Sequence, residues 1–182
     1  MGSWGRCDFD ELRALQRKLE QIQGADLDRF CQQVSKELAA RLLALVIPKT
    51  PVGKYDRPVK FTTADGRQVS FTPHTGKKGG TLRRGWTART EAEAMAGRGE
   101  GTGGAKAYAN ALPVSHQGQT YTVEIINPVH YASYVEFGHR KRGGGWVPGQ
   151  YFLTISEEEL RSLAPRVVEQ KLQRYLREVF RG

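Results

Sequence analysis

His130, Glu136 and His139 are the residues whose types first suggest chemistry, since two imidazoles and a carboxylate could hold a metal ion. A zinc hydrolase of the common helical kind needs its two histidines four apart on one helix face, with a glutamate beside the first. This spacing does not fit, and no third ligand stands at a usable distance along the chain. The other reading of Glu136 is that it caps a helix or pairs with a nearby arginine such as Arg140 or Arg142. Gly99 to Gly104 spell G-x-G-x-x-G, a pattern that can cradle phosphate, but no strand–helix–strand unit surrounds it, and loop flexibility explains it better. There is no G-x-S-x-G, no Walker loop and no Cys–His pair at a catalytic spacing. With no nucleophile and base to pair, a hydrolase is the remotest reading, and no enzyme activity, metal or cofactor is expected.

Charge is the remaining chemistry. The 182 residues carry 28 Lys and Arg against 19 Asp and Glu, a formal net charge of +9. Such a balance suits anionic partners, whether nucleic acid, phosphate or an acidic protein surface, and it also serves solubility. Three basic clusters stand out: Lys77-Lys78, Arg83-Arg84 and Arg140-Lys141-Arg142. Each lies beside glycines and two lie near a tryptophan, as in proteins that combine charge with base stacking. The same clusters could equally be solvated loops or could meet acidic patches on neighbouring subunits. No signature of sequence-specific nucleic-acid readout accompanies them.

The elements that would position these groups form an α+β pattern, a small antiparallel sheet packed by N-terminal and C-terminal amphipathic helices. The length suggests one domain over 1–182, with 53–78 an inserted hairpin arm and flexible linker. A first helix is predicted from Asp8 or Asp10 to Gly24, on the recurrence of Phe9, Leu12, Leu15, Leu19 and Ile22. A second follows from Asp26, with an apolar stripe of Leu27, Phe30, Cys31, Val34, Leu38, Leu42, Leu45 and Val46, and it stops at Pro48 and Pro51. Val59, Phe61 and Thr63, then Val69 and Phe71, alternate about Asp65-Gly66 and predict a β-hairpin. TLRRGW reads as a helical turn or the start of a strand, and ARTEAEAM as a strand or a frayed helix. AGRGEGTGGAKA is too rich in glycine to hold a regular element. QTYTVEIIN predicts a strand, and His130 to Phe137 a short helix ended by Gly138. The segment after it, HRKRGGG, reads as a mobile basic loop. A long helix runs from Gln150 or Ser156 to Phe180, bent or split at Pro165.

Cys7 and Cys31 are the only cysteines among the 182 residues, too few for a disulfide framework, and Cys31 reads as a buried thiol of a reducing, intracellular protein. No apolar run approaches the ~18 residues of a membrane span, and the start, MGSWGRCDFDE, lacks a signal-peptide core. The expectation is a protein made and used without secretion and without a membrane.

Four segments together resemble one family. They are KELAARLL leading into KTPV (Lys36–Leu43, Lys49–Val52), GGTLRRGW (Gly79–Trp86), TVEIINPVHYASYVEFGHR (Thr122–Arg140) and VPGQYFL (Val147–Leu153). In this order they resemble the minor tail component family of siphophages and PBSX-type defective prophages. The third segment is the most specific, through Asn127, Tyr131-Ala132, Tyr134-Val135 and Glu136-Phe137-Gly138-His139. The chain departs from that pattern between Val52 and Gly79, where the predicted hairpin intervenes as an added contact arm.

The resemblance implies a neck or tail-completion protein of the virion, assembled in the bacterial host cytoplasm. Its copies would form a ring, expected as a hexamer, at the head-proximal end of the tail. The ring would meet the tail tube protein on one side and the head–tail connector or neck proteins on the other, around DNA in transit. No cofactor is implied. Aromatic and apolar residues beside flexible segments are the expected assembly contacts: Leu82, Trp86, Tyr131, Phe137 and Trp146, with Val59, Phe61, Val69 and Phe71 of the hairpin reaching a neighbour. Lys77, Lys78, Arg83, Arg84, Arg140, Lys141 and Arg142 are the expected contacts to an anionic partner or DNA. The alternative is a nucleic-acid-binding module that uses the basic loops.

Overall fold

The structure is a computed structural model and describes residue 20 and residues 25–55, 58–72, 79–97 and 104–181. Apart from Glu20, the helix predicted before Gly24 lies outside the described residues, as do Lys77 and Lys78.

Helix α1 spans Ala25–Lys49, with Asp26 and Asp28 in its first turn and Lys49 in its last, the charge order that the helix dipole favours. Its last turn closes on Thr50, whose N–H and hydroxyl both donate to the Val46 carbonyl, at 2.9 and 2.7 Å. The buried line along α1 is Val34, Ala39, Leu43, Val46 and Thr50. Leu38, Leu42 and Leu45 of the predicted stripe are half-buried on its flank. Val34 and Val46 belong to both lines, but between them burial shifts one position, to Ala39 and Leu43, because α1 packs against several elements at once: α2 (Thr81–Gly85), α4 (Gly104–Ala111) and α6 (Phe152–Arg181).

The hairpin predicted around Asp65-Gly66 is present. Strands β1 (Val59–Thr62) and β2 (Gln68–Phe71) pair antiparallel, with Val59 opposite Phe71 and Phe61 opposite Val69. Those four residues therefore share one face, and Lys60, Ser70, Thr62 and Gln68 share the other. Thr63 belongs to the turn instead of the strand, because its N–H donates to Arg67 O and its carbonyl accepts from Gly66 N. Gly66 takes the left-handed conformation that the turn requires, at φ +82°.

Beyond the arm, TLRRG forms the short helix α2. The undecided TEAEAM forms α3 (Glu91–Met95). Local capping decides α3: Thr90 accepts the Glu93 N–H at 3.2 Å, while the Glu93 carboxylate accepts the Arg89 N–H at 2.8 Å. The glycine-rich stretch was expected to hold no element, yet its C-terminal end starts α4. Ala109 of α4 is fully buried, and Lys36 of α1 donates to the Asn110 carbonyl at 2.7 Å. Tertiary packing on α1 overrides the cost of the helix-opening glycine.

The predicted strand over QTYTVEIIN is cut short. Only β4 (Thr120–Thr122) is paired, against β3 (Ser115–Gln117). Tyr121, Val123 and Ile125 still alternate inward. The period-two pattern thus reports burial, while the residues past Thr122 pair with no strand among the described residues. After α5 (Ala132–Phe137), the predicted mobile basic loop proves to be a further hairpin, β5 (Gly138–Arg140) with β6 (Trp146–Pro148). Among the described residues, the sheet component is therefore three separate two-stranded ladders within an α+β fold. Helix α6 runs through Pro165 without splitting; the proline ring is exposed, on the solvent side of the helix.

The core gathers Ala39, Leu43 and Val46 of α1, Leu82, Trp86 and Ala88 around α2, Ala94, Ala109, Val129 and Phe152. Among the described residues, no helix is long and apolar enough to cross a membrane. Cys31 is half-buried, and desolvation and the nearby Asp28 carboxylate push its thiol up from the ordinary range.

The β3–β4 hairpin is tied to α1 by polar contacts. The Tyr121 hydroxyl donates to Asp28 at 2.8 Å, and the Tyr121 ring stacks on His116 with centroids 4.1 Å apart. The bond to Asp28 pushes the Tyr121 phenol up to about 12. A free tyrosine titrates near ~10, so this tie is fully present below that pH and is lost as the pH rises from ~10 through ~12. A titration of tyrosinate absorbance should show a late-titrating phenol that Tyr121→Phe removes. A wild-type protein with no tyrosine titrating later than the rest would refute the tie.

Candidate assembly surface

The most recognisable segments of the sequence meet in the interior. The Trp86 indole N–H donates to the Thr50 hydroxyl at 2.7 Å, and its ring meets Phe152 edge-on at 6.2 Å. The Arg83 guanidinium donates to the carbonyls of Thr50 and Pro48, satisfying the open end of α1. Arg84 likewise donates to Ala94 O at 2.8 Å and Gly79 O at 3.1 Å. Asn127 donates to Leu82 O at 2.9 Å and accepts the Val129 N–H at 3.2 Å. A Cβ on Gly85 would lie 2.2 Å from the Asn127 amide oxygen, so only glycine lets these segments approach.

Glu136 completes the network. Its buried carboxylate accepts the N–H groups of Leu153 and Thr154, each at 2.9 Å, and the Thr154 hydroxyl at 2.7 Å. It caps the start of α6 from a different element, the capping role that its sequence position suggested; the pairing with Arg140 or Arg142 does not form. Gln150 N and Tyr151 N donate to the carbonyls of Val135 and Glu136, closing the same junction. Gly149 is required there, because a Cβ would stand 2.2 Å from Glu136 O. With both carboxylate oxygens committed, Glu136 is not placed to ligate. His130 instead meets Glu91 at 2.7 Å and His139 packs edge-on to Tyr134.

Two groups of expected contact residues are thereby corrected. Leu82 and Trp86 are 4% and 3% exposed and belong to the core, not to an outer surface. Their apolar bulk, which suggested contacts to a neighbour, is used inside the subunit. Arg83 and Arg84 hold backbone carbonyls and are not free for an anionic partner. Tyr131 is half-buried, and burial raises its phenol.

The remaining expected contacts do face outward. Phe137 and Trp146 are 58% and 59% exposed, Phe137 just before β5 and Trp146 at the start of β6, opposite Arg140. Val59, Phe61 and Phe71 are exposed on the single apolar face of the β1–β2 hairpin, with Val69 half-buried beside them. Arg140, Lys141 and Arg142 are exposed at the tip of the β5–β6 hairpin. Sequence reasoning missed Thr50, Gly85 and Gly149. Their signal was only their place beside recognisable segments, since a small residue's role rests on what approaches it.

Two pairs of substitutions separate the interior from the surface. Trp86→Ala should cost about 3–5 kcal/mol in chemical denaturation, while Trp146→Ala should cost less than about 1 kcal/mol. Equal losses would contradict the division between core and surface. Gly149→Ala should destabilise by about 3 kcal/mol through overpacking on backbone, against no more than about 0.5 kcal/mol for Gly143→Ala, whose site is open.

Comparison with curated proteins and with solved structures found no match. The profile of the family described as "Bacteriophage HK97-gp10, putative tail-component" matches residues 13–138. That span takes in α1, the β1–β2 arm, the Thr50–Trp86 and Asn127–Gly85 contacts, and Glu136 itself. The match covers well over half of the chain, which therefore belongs to the HK97-gp10-like family and, through it, to the structural components of phage tails.

Proposed function

We propose that copies of this chain close into a ring, a hexamer, at the head-proximal end of the tail. The ring ends the tail tube and joins it to the connector. Family membership as a tail component carries this reading. Large apolar side chains outside a well-packed interior support it. Phe137 and Trp146 are exposed at one hairpin, and Val59, Phe61 and Phe71 line the open face of another. A two-stranded hairpin is marginal in water, so the arm gains most of its order from what it packs against. Main-chain pairing and apolar burial on a neighbouring subunit would supply that order. The work is geometric: one face of the ring matches the last tube ring and the other matches the neck, and no reaction is required.

The exposed Arg140, Lys141 and Arg142 favour a second reading, contact with DNA. In a ring around the DNA path this contact is non-specific and accessory. As the main function it would give steep salt dependence in a nucleic-acid titration, with a slope set by the phosphates neutralised.

Electron microscopy of particles made with and without this chain tests the proposal. Its loss should leave tails of uncontrolled length or tails unjoined to heads, and labelled copies should sit at the head-proximal end. Normal joined particles in its absence, or copies located at the distal tip, would overturn the proposed place.

A further inference from the structure

Two exposed apolar surfaces of this chain carry opposite, unsatisfied charge. The first is built on β5–β6, where Tyr134, Phe137 and Trp146 are exposed beside Arg140, Lys141 and Arg142. The loop between the strands stands free: a Cβ on Gly143, Gly144 or Gly145 would meet no atom within 4 Å. The second is the start of α6. Tyr151 and Ile155 are 47% and 44% exposed there, and Ile155 lies on the same helical face as Glu158, three residues on. Glu157 and Glu158 are exposed and, like the three basic residues, form no ion pair among the described residues. Glu159 is different, held by Lys49 at 2.8 Å.

We propose that the β5–β6 surface docks on the first turns of α6 in a second copy of this chain, with Arg140, Lys141 and Arg142 of one copy facing Glu157 and Glu158 of the next. The inference rests on the ring reading and names the contact that closes it. Three arguments select a second copy as the occupant. Each copy carries both halves, so a head-to-tail ring sets the three basic residues of one copy against the two glutamates of the next, leaving no patch uncovered and one positive charge in excess. At a net charge of +9, copies repel one another unless basic meets acidic at the contact. Nucleic acid would answer the basic loop but would leave Glu157 and Glu158 facing like charge. The aromatic and arginine content is that of an interface centre, where such side chains lose the most water.

Charge reversal and its rescue test the contact on the purified full chain. K141E/R142E and E157K/E158K should each weaken self-association by about tenfold or more in sedimentation at low salt. Combining all four substitutions in one chain should restore it, while thermal unfolding of all three variants stays close to wild type. Single reversals that associate like wild type, or a combined variant that fails to recover, overturn the contact. If the wild-type chain stays monomeric in solution, the same variants are scored by the yield of joined particles. There, loss by each single reversal and recovery on combination support the contact, and wild-type yields from the single reversals overturn it. Lost nucleic-acid binding with unchanged assembly would assign the basic loop to DNA instead. Finding the subunit elsewhere in the particle removes the ring reading itself, a result that microscopy distinguishes from failure of this interface alone.

Discussion

A buried carboxylate holds the C-terminal third of this protein in place. Glu136 sits at the end of α5 and takes the N–H groups of Leu153 and Thr154 and the Thr154 hydroxyl. A helix start has several unpaired N–H donors and the positive end of the helix dipole, so a carboxylate there stabilises it strongly. Because the cap comes from another element, it does more than stabilise α6. It sets the direction in which α6 leaves the junction, and hence how its thirty residues lie along α1. The β5–β6 hairpin is the loop that this junction closes, so its exposed tip is aimed by a buried charge at its base.

The same division of labour holds elsewhere. The Thr50 hydroxyl, at the end of α1, accepts a hydrogen bond from the indole N–H of Trp86 and donates one to Val46 O. Arg83 satisfies the carbonyls that the proline-ended helix leaves open. Such polar links leave few buried groups unsatisfied, and they set one arrangement of α1, α2 and α6 where apolar packing alone would tolerate several. The hairpins outside this core add apolar surface and charge without disturbing it.

That separation also explains which parts of the site were legible beforehand. The β1–β2 hairpin was readable because Asp65-Gly66 and strict alternation are local signals, and its register put Val59, Phe61, Val69 and Phe71 on one face as expected. The short helix is read with Tyr131, Tyr134 and Val135 or Phe137 turned inward, yet Tyr134 and Phe137 are exposed, as is Trp146, whereas Leu82 and Trp86 are buried. An aromatic residue beside glycines looks the same in sequence whether it fills a core or waits for a partner. Burial is a property of what lies across from it. The basic clusters divide in the same way, since Arg83 and Arg84 find carbonyls within reach, and Arg140, Lys141 and Arg142 find none among the described residues.

By itself, the sequence determined the long helices, the arm, the stop at Gly138 and the family, all of which rest on periodicity, turn residues or contiguous segments. Tertiary structure alone decided that AKAYANA is a helix on α1, that the Thr120–Asn127 stretch pairs only at its start, and that the basic loop is a hairpin. Each of these depends on contacts between residues far apart in the chain. The free energy of such contacts outweighs local propensity, and a linear pattern carries no record of it.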